Sequence, residues 1–199
     1  MIAEKRIIMK IYLLRHGETN WSKDGRLQGH INIPMNEKGI RQVNAAGELL
    51  SQTGEIIDLI ITSPLIRARK SAELIADKIG YNKEDIVIEY GFIERNFGLE
   101  EGLTSEERKM KFPDGRNPDI ESVRDLCERA GNTIAKYINE YPDKTILLAA
   151  HSSIIKAVLS FVTKGEFPYK EGSAALGTGE FCILEYKEEA FRVMIGGNQ

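Results

Sequence analysis

The chain has 199 residues, 42% of them hydrophobic and 29% charged, and its 27 basic against 30 acidic side chains leave a formal charge of −3. That length suits one domain over 1–199, burying about 70% of its unfolded surface without a disulfide or metal staple. The composition excludes a disordered tail protein and argues against nucleic acid as a general partner. The apolar runs, such as residues 56–61 and 145–150, are too short to cross a bilayer, so no membrane role is expected. Residues 1–9 contain Glu4, Lys5 and Arg6 and lack the apolar core of a signal peptide. Cys127 and Cys182 supply neither a disulfide framework nor metal-ligand spacing. A cytoplasmic protein is the expectation.

In chain order, Ile7 to Leu14 is the first strand signal, broken only by Lys10. Asn36 reads as a helix cap, followed by Ile40, Val43, Gly47 and Leu50 at helical spacing. Ile56 to Ile61 predicts a second strand, and Ser63-Pro64 a cap with proline at the first helical position. Leu65, Ala68, Ala72, Ile75 and Ile79 then mark one helix face. Ile86 to Tyr90 predicts a short third strand, and residues 91–120 a loop-rich cover with one brief helix near Ser105 to Met110. Ser122 caps a helix carrying Leu126, Ala130, Ile134 and Ile138. Thr145 to Ala150 is a fourth strand, Ser152 to Val162 a helix directly after it, and Phe181 to Tyr186 with Phe191 to Ile195 a late hairpin.

Strands alternating with helices predict an α/β fold, a three-layer sandwich with a mostly parallel central sheet and helices on both faces. Such sheets bind ligands at the carboxyl ends of their strands. Arg15 and His16 follow the first strand, Ser63 and Arg67 the second, Glu94 the third and His151 the fourth. Each has an ordinary reading as a hydrogen-bonded or solvated residue. Together they would build a cationic pocket with a carboxyl group beside it, and phosphate is the ligand that suits it. A neutral imidazole can attack phosphorus and split one hard displacement into two easier ones. A carboxylic acid beside a bound anion can give the leaving alkoxide its proton. Metal hydrolysis fits poorly, since His-x-His, HExxH and a strand-end Asp cluster are all missing. No P-loop or GxGxxG motif occurs either.

The run Leu13-Leu14-Arg15-His16-Gly17-Glu18-Thr19 resembles the signature of the histidine phosphatase superfamily, which has the phosphoglycerate mutase-like fold. The likeness continues through Trp21, Gly25 to Gly29, Glu37-Lys38-Gly39, Ser63 to Ala68, Glu94 to Gly102 and His151, covering about Lys10 to Val162 in order. The resemblance implies that His16 is the phosphorylated nucleophile and Glu94 the proton donor. It implies too that Arg15, Arg67 and His151 hold the phosphoryl oxygens, and that Gln28 and Gly29 line the substrate side. No cofactor and no metal are implied.

Three departures stand out. Ser22 occupies a place where the family usually carries Asn, with Asn20 as the nearby amide. Ser152 follows His151 where Gly is usual, adding a Cβ while keeping a hydroxyl and an N–H for the phosphate. Residues 1–8 precede Met9-Lys10-Ile11, which resembles the usual start, and read either as a short N-terminal extension or as a misassigned start.

The leading expectation is a metal-independent phosphatase acting on small phosphorylated metabolites. A bisphosphoglycerate-dependent mutase and a non-catalytic phospho-ligand binder are the alternatives. Mutases of the family look as though they carry a Tyr shortly after the catalytic Glu, and an Arg-Arg pair on a longer cover. Here Phe97 stands in the Tyr place, and Arg116 lies between Gly115 and Asn117. Residues 96–119 and 169–179 are the loops expected to set selectivity. Oligomeric state leaves no signal in the sequence.

Overall fold

Six strands form one sheet in the computed structural model, which describes residues 9–115, 117–187 and 190–195. They are β1 (Lys10–Arg15), β2 (Leu59–Thr62), β3 (Val87–Ile88), β4 (Thr145–Ala150), β5 (Phe181–Lys187) and β6 (Ala190–Ile195). Their spatial order is β3-β2-β4-β1-β5-β6. β4 runs parallel to both β1 and β2, and β3 parallel to β2. β5 is antiparallel to β1 and forms the expected hairpin with β6. The proposed extension 1–8, the first two residues of the expected strand Ile7 to Leu14, and Arg116 lie outside the described residues.

β1 and β4 are covered on both faces, and so read as nearly unbroken apolar runs. Their side chains divide by parity, because successive residues of a strand point to opposite faces. Ile11, Leu13, Ile146, Leu148 and Ala150 join the core under α5 (Val123–Glu140) and α6 (Ser152–Val162). Tyr12, Leu14, Leu147 and Ala149 join the core under α2 (Glu37–Gln52) and α3 (Ile66–Ile79). The result is the three-layer arrangement. Asn36 caps α2 by accepting the Gly39 N–H at 2.8 Å, and Ser122 caps α5 by accepting that of Asp125 at 3.1 Å. The Ser152 to Val162 helix has the expected ends.

Other boundaries differ. β2 begins at Leu59 rather than Ile56, and Ile56 is 79% exposed, an apolar residue outside the ladder. β3 is only two residues, both exposed at the sheet edge. α3 starts at Ile66, so Pro64 lies before the helix and Ser63 is not its cap. Asn32 Oδ1 accepts the Ile66 N–H at 2.7 Å instead, a partner 34 positions away that no local pattern could reveal. The sequence also gave no hint of the single-turn helix α1 (Asn20–Lys23). The brief helix expected in the cover is α4 (Ser105–Lys111). Among the described residues, no helix is long and apolar enough to cross a membrane.

Candidate active site

Strand register brings the candidate residues together. Arg15 lies opposite Ala150 across the β1–β4 pair, and Thr62 opposite Ala149 across β2–β4. The chain therefore leaves three adjacent strands at His16, His151 and Ser63. The two imidazole centroids are 5.2 Å apart. A cavity of about 740 Å³ opens at this edge, lined by Arg15, His16, Ser22, Gln28, Gly29, Arg67, Glu94 and Ser152 of the predicted set. His151 is fully buried beside it. Asn20 is outside the lining; it is exposed, and its Oδ1 accepts from Asn36 Nδ2 at 3.4 Å.

His16 sits on a turn pressed against the first turn of α2. A Cβ on Gly17 would fall 2.2 Å from the Gly39 carbonyl oxygen, and a Cβ on Gly39 would fall 2.2 Å from that of Glu18. Both glycines allow this close backbone approach. His16 Nδ1 lies 2.8 Å from the Gly17 carbonyl oxygen. A carbonyl only accepts, so Nδ1 carries the hydrogen and Nε2 keeps its lone pair. Burial, reinforced by the charges of Arg67 and Arg15, pushes the imidazole well below its ordinary 6.5, against the opposing bond to Gly17. His16 is therefore neutral at neutral pH.

His151 is depressed in the same way, by burial first and then by Arg67, His16 and Arg15. Its Nε2 lies 2.7 Å from Ser63 Oγ, which already accepts the Leu65 N–H at 3.3 Å. That hydroxyl is thus the natural donor to Nε2, and the assignment places the ring hydrogen on Nδ1.

The two arginines are anchored through their tips. Arg67 donates to the carbonyls of Ile31 at 2.9 Å and Gly29 at 2.8 Å, and Arg15 to that of Leu176 at 2.7 Å. Burial lowers Arg67 to about 10 and lowers Arg15 as well, so both remain cations at neutral pH. Among the described residues, Nε of Arg15, Nε of Arg67 and Nδ1 of His151 are buried with no protein partner. Buried donors normally find one. Three such donors on side chains that neighbour the His16 imidazole suit an oxyanion.

Glu94 is 7% exposed. Its Oε1 accepts the Arg95 N–H at 2.9 Å, and its Oε2 has a long contact of 3.5 Å with the Ser153 N–H in the first turn of α6. Ser22 closes a capping box on α1: its Oγ donates to the Thr19 carbonyl at 3.0 Å and accepts the Thr19 N–H at 2.9 Å. Gln28 spends Oε1 on the Thr19 hydroxyl, which donates at 2.9 Å.

Sequence reasoning missed Lys156, which lines the cavity from within α6. Its Nζ donates to the carbonyls of Lys170 and Ser173 at 2.9 and 2.8 Å, and lies 4.5 Å from the Tyr169 ring centroid. A lone lysine in the run Ile154 to Leu159 was the available signal. Arg95 is also on the lining; it ion-pairs with Glu171 and donates to the Glu121 carbonyl. Both expected selectivity loops reach the cavity, through Phe97 and Asn117 in one and Glu171 and Ser173 in the other.

Comparisons with known proteins bear on the chain as a whole. Residues 11–198 match the histidine phosphatase superfamily (branch 1). An uncharacterized phosphatase PhoE of Bacillus subtilis is 35% identical over 183 residues, covering 92% of this chain and 91% of the relative. A probable phosphoglycerate mutase GpmB of Cronobacter sakazakii is 31% identical over 192 residues, covering 91% and 86%. YhfR of Bacillus stearothermophilus shares the fold, with a TM-score of 0.83 at 22% identity over 96% of this chain and 98% of that one. So does a mycobacterial glucosyl-3-phosphoglycerate phosphatase, at 0.80 and 23% over 94% and 97%. A motif set that converges on one cavity, and a match spanning nearly the whole sequence, place this chain in the histidine phosphatase superfamily.

Proposed function

We propose that this protein is a metal-independent phosphatase that hydrolyses small phosphomonoesters through a phosphohistidine. The observation that carries this reading is the set of three buried, unpartnered donors on Arg15, Arg67 and His151, the side chains that neighbour the His16 imidazole. In the first step Nε2 forms a bond to phosphorus while the ester P–O bond breaks. Arg15, Arg67 and His151 take the charge on the phosphoryl oxygens. Glu94 gives its proton to the departing alkoxide. In the second step Glu94 takes a proton from water, whose oxygen attacks phosphorus and frees His16 and inorganic phosphate. First-turn N–H groups of α6, at Ser152 and Ser153, add to the positive end of the pocket. Guanidinium groups beside both imidazoles favour an anion and oppose a metal cation at the same place.

Phe97 on the cavity wall supports hydrolysis over mutase chemistry, because its ring offers no hydroxyl to grip a second substrate group. Rapid quenching of a turnover at neutral or alkaline pH should trap phosphate on His16. Label on His151 or Ser152 would overturn the assignment. Phosphate release should exceed any interconversion of 2- and 3-phosphoglycerate, even with the bisphosphate supplied; faster interconversion would make the protein a mutase.

A further inference from the structure

Among the described residues, four buried side-chain donor or acceptor atoms have no partner, and all belong to residues in or beside one cavity. Three belong to Arg15, Arg67 and His151, which neighbour His16. The fourth, Nε of Arg108, belongs to α4 on the cover.

Besides Arg15 and Arg67, the other cations on the cavity wall are engaged. Arg26 donates to the Gly102 carbonyl and to Glu107, both at 2.8 Å. Arg95 is held by Glu171 and the Glu121 carbonyl, and Lys156 by two carbonyls. Arg108 has one weak contact: its Nη1 lies 3.4 Å from Oε2 of Glu100, beyond the usual range for a charge-assisted bond. The Nε edge of its guanidinium, where two N–H groups point the same way, has no partner among the described residues. Such an edge matches the two oxygens of a carboxylate or phosphate.

We propose that Arg108 is a specificity-determining residue: it binds a second anionic group, a carboxylate or a further phosphate, on the alcohol part of the substrate, in competition with its loose contact to Glu100. This rests on the phosphatase reading for its physiological sense, but the binding claim stands separately. A phosphate ester with no second charge would leave Arg108 with Glu100, so the cavity selects by charge as well as by size.

The test compares probes that differ in one substituent. 3-Phosphoglycerate and glycerol 3-phosphate differ by a carboxylate; fructose 1,6-bisphosphate and fructose 6-phosphate differ by a phosphate. Calorimetry on the His16→Ala protein, which does not need turnover, should show at least one probe with the second anionic group binding ~10-fold or more tighter than its counterpart without it. Arg108→Met should erase that preference, and Arg108→Lys should keep part of it, since the charge remains without the fork. Glu100→Gln should strengthen it, because the competing carboxylate is gone. Preference within one pair identifies which anion is read. Equal affinity within both pairs, or a preference that survives Arg108→Met, would overturn the proposal. The opposite preference, for phosphoethanolamine over ethyl phosphate and lost in Glu100→Gln, would assign the reading to Glu100 instead. If the charge preference holds while wild type releases no phosphate from any probe, the phosphatase reading fails and this one stands.

Discussion

His16 carries two tasks that its surroundings reconcile. The Gly17 carbonyl fixes the tautomer, and burial with two guanidinium neighbours keeps the ring unprotonated. The free-enzyme limb of kcat/KM that reports the nucleophile should therefore lie below pH 6.5. A profile on nitrophenyl phosphate, corrected for the ester's own ionisation, checks this; a limb at or above 6.5 would show that His16 is not held neutral. In the proposed mechanism Glu94 acts on the other partner in the transfer. A proton donor matters most when the leaving group is poor, so Glu94→Gln should cost about 10²–10⁴ in kcat on an alkyl phosphate and far less on nitrophenyl phosphate. The amide can still accept the Arg95 N–H, so its fold should be intact. Equal losses on both esters would make Glu94 a positioning group.

At the scale of elements, the site depends on how closely α2 approaches the turn after β1. Gly39→Ala would place a methyl 2.2 Å from one backbone oxygen and 2.5 Å from a backbone nitrogen, both of Glu18. Neither can yield as a side chain would. Overpacking of this kind costs about 1–3 kcal/mol, which in a domain of this size lowers Tm by roughly 2–12 °C. Thermal melts should show that shift together with a fall in kcat, because the same turn bears His16. An unchanged Tm would mean that the two backbones can separate freely. α2 and α5 were legible in the sequence because their caps and apolar stripes lie within one window, and α6 because its apolar run directly follows β4. The start of α3 was not, since its cap comes from Asn32 and the Ser63 hydroxyl is used by His151. β2 was placed early because Ile56 and Ile57 extend the apolar run, and only pairing with β4 decides where the ladder begins.

For the molecule as a whole, two buried neutral histidines make stability depend on pH. Both have folded-state pKa values depressed below 6.5, so the unfolded chain binds more protons as pH falls through that value. Stability from this source is complete above 6.5 and is lost below it. Each group contributes at most about 1.4 kcal/mol per pH unit, so the pair gives a slope of up to about 2.7. Urea denaturation between pH 7.5 and 5.5 should reveal this slope, and His16→Asn should reduce it by about half. A flat profile would mean that the imidazoles take up protons in the folded state. Phosphate should flatten it too, since an anion bound to the native state stabilises it and favours the charged imidazoles.

Apart from α1, strand and helix identity, the mostly parallel sheet and the strand-end placement of Arg15, His16, Arg67, Glu94 and His151 were readable from the chain alone. They follow from short-range periodicity, and from the rule that ligands gather at strand ends, which needs no coordinates. What only the tertiary structure decided is which polar groups are already spent. Ser63 meets His151 across 88 positions and Arg15 meets the Leu176 carbonyl across 161. Lys156 is taken by loop carbonyls, while Arg108 keeps one edge unpartnered among the described residues. A sequence states each residue's donors and acceptors; whether they remain available depends on partners that folding brings from elsewhere in the chain.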